Sequence, residues 1–233
     1  MRSSLALLQF VKPPHPGQVK TRMRPHLSEE QCLRLHCAMA THVFEALNQP
    51  LLWDYELWLG GPLTDQDQEL EQLLGVNAEE LGPGFSICQQ QGADLGARMH
   101  DALQQSLASH DFAIVIGSDC PWLDLSVIER MQSVLERGAE AVVVPARDGG
   151  YVALGLSRPL PGLFKGVSWG TEKVLLQTLE RLQSGRDLGR PVRYQLLEEL
   201  ADVDRPEDLL LLQPFSWAHP FLDKALGQAL TTV

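Results

Sequence analysis

Apolar residues run unbroken from Phe112 to Ile116 and stop at Gly117-Ser118-Asp119-Cys120-Pro121. Such a run is short for a helix and predicts a strand in a parallel sheet covered on both faces. Apolar or aromatic stretches at Leu5–Val11, Trp53–Leu59, Phe85–Gln89, Ala141–Val144, Tyr151–Leu156 and Val192–Leu197 predict further strands. Helical spacing fills the gaps between them. Leu33, Cys37, Ala40, Phe44 and Leu47 recur with that period behind Ser28, and Gln31 stands three positions on as a capping-box partner. Leu95, Met99, Ala102, Leu103 and Leu107 mark another amphipathic helix, and Gln68 to Leu74 a short one. Ser126 and Glu129 are placed to cap a helix reaching about Arg137, and Thr171 to open one reaching about Gln183. Pro206 sits where a first-turn helical proline belongs.

Strands alternating with helices predict a three-layer α/β/α domain with a mostly parallel sheet over residues 1–212. No internal repeat or low-complexity linker interrupts it. Residues 213–233, with Trp217 and Phe221, read as a C-terminal helical appendage that closes the domain or serves a subunit contact. The oligomeric state stays open.

Composition narrows the class. With 44% hydrophobic and 21% charged residues, the 233-residue chain has the makings of a substantial core. No apolar stretch approaches the ~20 residues that span a bilayer, so membrane insertion is not expected. Leu5 to Leu8 behind Arg2 is short for a signal peptide, and it meets Lys12-Pro13-Pro14 without a small-residue cleavage site. A buried first strand in a cytoplasmic protein is the expected reading. Cys32, Cys37, Cys88 and Cys120 form no C-x-x-C pair and show no zinc-ligand spacing. A net charge of −11 argues against nucleic acid as a partner. The charge is uneven, however. No acid precedes Glu29, while Arg2, Lys12, Lys20, Arg22 and Arg24 all do. One basic loop in an acidic chain suggests a small anionic ligand held locally.

In an open α/β sheet, ligands bind at the carboxyl ends of the strands. The unusual polar segments of this chain all follow predicted strands, and each has two readings. Lys12 to Arg22 lacks the glycine spacing of a Walker A loop. Gly17 still allows close backbone approach, and Lys20 and Arg22 can neutralise phosphate oxygens; the alternative is a solvated basic loop. Asp119, past the strongest strand, can hold Mg²⁺ or Mn²⁺ beside water and phosphate, or cap the next helix. Arg147-Asp148-Gly149-Gly150-Tyr151 is a hairpin turn or a place where glycines admit substrate and Asp148 meets a hydroxyl. Asp202 and Asp204 point the same way in an extended segment and so can both face a metal; a helix start favours acids too. Gly92 and Gly96 flank a helix start that carries Arg98 toward a phosphate or acceptor, or they merely cap it. The histidines do not cluster, G-x-S-x-G is absent, and no histidine is identifiably paired with Cys120.

Taken in order from about Leu5 to Leu212, these segments resemble a bacterial family with the GT-A, or nucleotide-diphospho-sugar transferase, fold. Its members are largely uncharacterised glycosyltransferase-like proteins, some linked to arsenosugar biosynthesis. The resemblance rests on K-x-P-x-x-G-x-V-K-T-R, Q-G-x-x-L-G-x-R-M, G-S-D-C-P, D-G-G-Y, Ser168-Trp169-Gly170-Thr171 and D-V-D-x-P-E-D-L. More distantly the chain is similar to guanylyltransferases that activate molybdenum cofactor or phospholactate. The resemblance implies that Lys12, Gly17, Lys20, Arg22, Gly92 and Arg98 bind nucleotide and phosphate, and that Asp119 and Asp204 hold Mg²⁺ or Mn²⁺. It implies Gly149, Gly150, Tyr151 and Trp169 around the second substrate, with Asp148 as the catalytic acid–base candidate. In place of a D-x-D pair stands Ser118-Asp119-Cys120-Pro121, so Asp119 has no acidic neighbour in sequence.

The function expected on this basis is a metal-dependent glycosyltransferase using a nucleotide-sugar donor and a small-molecule acceptor. The alternatives are a nucleotidyltransferase that joins a nucleoside triphosphate to a phosphorylated substrate, and a nucleotide-binding protein without turnover.

Overall fold

The computed structural model describes residues 4–61, 66–76, 81–185 and 188–222. Arg2, Pro62 and residues 223–233 of the expected appendage lie outside them. Within them, seven strands form one sheet: β1 (Leu5–Val11), β2 (Asp54–Leu59), β3 (Phe85–Gln89), β4 (Phe112–Gly117), β5 (Ala141–Pro145), β6 (Tyr151–Leu156) and β7 (Tyr194–Leu196). Their order is β3-β2-β1-β4-β6-β5-β7. Only β6 runs against its neighbours, antiparallel to both β4 and β5. The helices are α1 (Glu29–Leu47), α2 (Gln66–Leu74), α3 (Leu95–Ser106), α4 (Leu125–Glu136) and α5 (Val174–Ser184). The fold is therefore the expected α/β class with a mostly parallel sheet.

Alternation along β1 shows how the layers form. Leu5, Leu7 and Val11 share a core with Ala40, Val43 and Leu47 of α1, Leu70 of α2 and Ile128 of α4. Ala6 and Leu8 turn the other way, onto Met99 and Leu103 of α3 and Leu182 of α5. A strand buried on both faces needs apolar residues at both phases, which is why the central strands read as continuous runs. Helix α1 is buried twice over. Its other side, at Cys32, Leu35 and Met39, packs on Met23, Leu27, Leu209, Leu212, Phe221 and Leu222. Each fully buried leucine there contributes roughly 2 kcal/mol of hydrophobic stabilisation, so the chain's last described segment is tied to its first helix by ordinary core packing.

Several boundaries differ from the sequence reading by a few residues, and three have a local cause. The cap of α4 is Asp124, whose carboxylate accepts from the Val127 N–H; Ser126 donates to that carboxylate instead of capping. Helix α5 opens at Val174, not Thr171, because the Thr171 hydroxyl donates to the Ser168 carbonyl and closes a turn before the helix. The last strand shrinks to Tyr194–Leu196, since Val192 leaves the ladder to bond the end of α5 through the Leu182 carbonyl. The capping box at Ser28 and Gln31 forms as read. Among the described residues no helix is long and apolar enough to cross a membrane.

Candidate active site

The site grows from one polar residue in an apolar strand. Gln9 is fully buried in β1. Its amide donates to Ser118 Oγ and to the Ala40 carbonyl, both at 3.1 Å, and its carbonyl accepts from Tyr55 Oη at 2.7 Å. Ser118 Oγ in turn donates to the Phe10 carbonyl at 2.9 Å. A buried network with its bonds filled is rigid, and this one fixes the peptide that carries Asp119 at the carboxyl edge of β4.

Above that floor the loop after β1 folds back over the sheet. Lys20 adopts a left-handed backbone, φ 48° and ψ 36°, which is uncommon for a residue with a side chain. Two contacts hold it there: Nζ lies 2.7 Å from Asp119 Oδ1 and donates to the Val203 carbonyl at 2.5 Å. The Val203 N–H donates to the Asp119 carbonyl at 2.9 Å, so the first loop, the β4 tip and the 200–204 segment are clamped together. Arg22 Nη1 meets Asp204 Oδ2 at 2.6 Å. Asp208, inside the first turn of the 3-10 helix Pro206–Leu212, reaches back to accept from the N–H groups of Asp204 and of Arg205, the residue that caps that helix. His36 is buried below, 2.9 Å from the Lys12 carbonyl through Nε2. Burial lowers its pKa, so the imidazole is neutral with Nε2–H as donor.

Electrostatics identify what is unbalanced. Packing around Asp119 raises its pKa, but the charge and hydrogen bond of Lys20 override this and hold it below the ordinary carboxylate range. Asp202 moves the other way, to about 6, through burial first and then the charge of Asp148, with Asp119 and Asp204 adding to it. Four carboxylates thus feel one another, while two cations, Lys20 and Arg22, are bonded to them. Among the described residues no group of three His, Cys, Asp or Glu side chains is placed to hold a metal by itself. Any cation here would need ligands beyond the protein.

Three cavities meet at Arg22. One of about 590 Å³ is lined by Lys12, Lys20, His36, Arg98, Asp119 and Asp204. A second, about 690 Å³, is polar and includes Asp148, Ser168, Lys173, Asp202, Asp204 and Arg205. The third, about 240 Å³, is apolar and touches Asp148, Tyr151 and Trp169. The structure therefore brings together Lys12, Lys20, Arg22, Arg98, Asp119, Asp148, Gly150, Tyr151, Trp169 and Asp204. Gly17, Gly92 and Gly149 line none of the three cavities.

The 147–150 segment takes the turn reading. It is a hairpin between β5 and β6, with Asp148 Oδ1 accepting from the Gly150 N–H at 2.8 Å. Because β6 is antiparallel, that hairpin hangs over the carboxyl edge, where a parallel crossover would have carried the chain away. The reason for glycine at 149 differs from the expectation. Its φ is +87°, and a Cβ would lie 2.3 Å from the Glu172 carbonyl oxygen. It admits the chain's own backbone, not a substrate. Gly96 permits a close approach within the chain: a Cβ there would come within 2.5 Å of Trp169, so the bare helix surface is what lets the indole lie against α3. The cap of α3 is Asp94, not a glycine. Cys120 is buried and its thiol is pushed up to about 12, which removes it as a nucleophile.

Residues 43–171 match the family model described as "Uncharacterized protein conserved in bacteria (DUF2064)". The chain belongs to that family. Among curated proteins none matches it. Solved structures extend the DUF2064 match. A candidate nucleotide-diphospho-sugar transferase from Desulfovibrio desulfuricans G20 superposes at a TM-score of 0.81 with 25% identity, over 97% of this chain and 98% of that one. A 4-diphosphocytidyl-2C-methyl-D-erythritol synthase from Anaerococcus prevotii gives 0.58 at 9% identity, over 95% and 96%. A cytidylyltransferase from Leptospira borgpetersenii gives 0.54 at 12% identity, over 99% and 95%. The last two likenesses are of fold. This DUF2064 chain has the nucleotide-diphospho-sugar transferase type of fold that the resemblance implied.

Gln9 and the apolar wall of Leu95 and Met99 escaped the sequence reading. Gln9 did carry a signal, as a lone amide inside L-A-L-L-Q-F-V. Leu95 and Met99 carried none, because apolar residues at helical spacing read as core.

Proposed function

We propose that this chain is a metal-dependent glycosyltransferase that takes a nucleotide-diphosphate sugar as donor. The observation that carries the reading is the junction at Arg22 and Asp204, where a cavity with cationic walls opens into a polar chamber large enough for a sugar. Lys12, Lys20, Arg22 and Arg98 offer the positive charge that a diphosphate needs. The kinship in fold with the Desulfovibrio protein supports the same class.

Asp119 and Asp204 fit a divalent cation. Mg²⁺ is commonly held by one or two carboxylates, with waters and substrate phosphates completing the shell, and the nearby carboxylates of Asp148 and Asp202 add negative charge that such an ion offsets. Bound there, the ion would supply positive charge to the diphosphate. The residues do the rest. Arg22, half exposed, turns from Asp204 toward the diphosphate oxygens, and with Lys20, which stays beside Asp119, it stabilises the charge that develops as the bond from the anomeric carbon to the diphosphate breaks. An acceptor hydroxyl forms the new carbon–oxygen bond and gives its proton to Asp148, which stands at the mouth of both the polar and the apolar cavities. The nucleoside diphosphate leaves as an anion.

One observation favours a second reading. Arg147, Lys173 and Arg205 also line the polar chamber and could hold a phosphorylated substrate. That substrate's phosphate would then attack a nucleoside triphosphate and release pyrophosphate. A thermal-shift screen of nucleotides and nucleotide sugars, with and without Mn²⁺, tests both. A Mn²⁺-dependent shift with one nucleotide sugar, lost in Asp119→Ala, is the expected result. A shift with nucleoside triphosphates alone, accompanied by pyrophosphate release, would replace the first reading with the second.

A further inference from the structure

The apolar cavity has no work to do for a diphosphate or a sugar, yet it opens onto the same junction. It shares Arg22, Asp148, Gly170 and Thr171 with the polar chamber. Its walls are Phe10, Met99, Val115, Val152, Trp169 and Val174, and Leu95 stands at the rim, 44% exposed. Trp169 is held against α3 by the missing side chain of Gly96, so the aromatic wall is a built feature.

Three of the polar groups around the cavity are already engaged. The Thr171 hydroxyl donates to the Ser168 carbonyl and accepts from the Lys173 N–H. Tyr151 Oη points to Met99 Sδ at 3.9 Å. Asp148 Oδ1 is taken by the Gly150 N–H. A polyhydroxylated group pushed inward would give up its hydration for few bonds. An apolar group would lose nothing.

We infer that the second substrate of this transferase is an alcohol bearing one apolar ring or a short branched alkyl group, which seats between Trp169, Met99 and Leu95 while its hydroxyl lies at Asp148. The size agrees: an apolar cavity of about 150 Å³ accepts benzene, so about 240 Å³ holds one ring with a small substituent. The role as acceptor rests on the transferase reading above; the chemistry of the cavity does not.

Saturation-transfer NMR on the full chain tests this, with benzyl alcohol, cyclohexanol and methyl glucoside as probes. The two apolar alcohols are expected to bind saturably and methyl glucoside not to. Trp169→Ala and Leu95→Asp should each weaken benzyl alcohol at least fivefold. Leu95 is the first residue of α3 and partly exposed, and an acid suits a helix N-terminus, so that variant folds even where Trp169→Ala does not. Equal affinity in both variants, or binding of methyl glucoside in place of the alcohols, overturns the inference. The nucleotide thermal shift, read on the same wild-type sample, separates the two claims. A nucleotide response without alcohol binding sinks the apolar cavity and leaves the transferase. Alcohol binding without any nucleotide response overturns the acceptor role.

Discussion

The two ends of the sheet each carry a cluster of acids and cations, and they are built to opposite plans. At the amino end of β5, Glu140 is buried and every bond its carboxylate can accept is supplied. Arg158 Nε reaches it at 2.6 Å, Arg190 at 2.7 and 2.8 Å, and the Arg193 N–H at 3.2 Å. Hydrogen bonds from Arg190 come first among the causes that bring its pKa to about 2. At the carboxyl end the acids and cations are not all paired with one another. Lys20 and Arg22 each serve one carboxylate, and Asp202 is driven upward to about 6. The first cluster is closed and the second is open. Residue type alone does not separate a structural ion cluster from a ligand site; whether the acceptor positions are filled does.

That contrast makes definite predictions, the largest at the open end. Asp119→Asn should lower transferase turnover by about 10²–10³-fold, the loss typical when one preorganised electrostatic contact is removed, while steady-state kinetics on Glu140→Gln show wild-type turnover. If both variants lost activity alike, the difference between the two ends would be illusory. Next comes stability. Glu140→Ala should cost about 2 kcal/mol, held below the full value of a buried pair because its arginine partners stand largely in water. For a chain of this size that lowers the melting temperature by roughly 4–8 °C in calorimetry.

A pH titration sharpens the same point. Glu140 has a folded-state pKa of about 2 against an ordinary value of 4.5. Its stabilising contribution is therefore complete above about pH 4.5 and is lost as pH falls toward 2. Denaturant melts between pH 5 and 2.5 should show that loss in the wild type and a shallower one in Glu140→Gln. The smallest effect is expected at Gly96→Ala. Alanine favours the helix by about 1 kcal/mol, and displacement of Trp169 opposes it, so net stability changes by under about 1 kcal/mol. The tryptophan fluorescence should nevertheless shift as the indole leaves α3; an unchanged spectrum would contradict the packing argument.

Much of this arrangement is legible in sequence, for reasons that can be named. β4 and β1 are readable because burial on both faces demands apolar residues at nearly every position, Gln9 being the exception in β1. Asp119, Lys20 and Asp204 stand out because polar segments directly after such strands have nowhere to go but the carboxyl edge. What sequence does not show is pairing. Nothing in the spacing of Lys20 and Asp119, or of Arg22 and Asp204, predicts contacts at 2.7 and 2.6 Å across the sheet. Nor does it reveal that Gly149 answers to Glu172 and Gly96 to Trp169, since close approach of one segment to another is a property of the packed chain. The boundaries at Asp124 and Val174 slipped for a smaller reason. Several hydroxyls and carboxylates near each helix start were able to cap, and local hydrogen bonds chose among them.

The clamp on Lys20 has a consequence for the order of events during synthesis. Its two partners are Asp119 and the Val203 carbonyl, so the loop that follows the first strand is not fixed until residues nearly two hundred positions later have emerged. Contacts this distant along a chain form late. A fragment ending before residue 200 is expected to build most of the sheet and still leave the 12–27 loop unset. Ligand-binding competence would then arrive as a final step, which makes the first loop a reporter of whether the rest of the domain has closed.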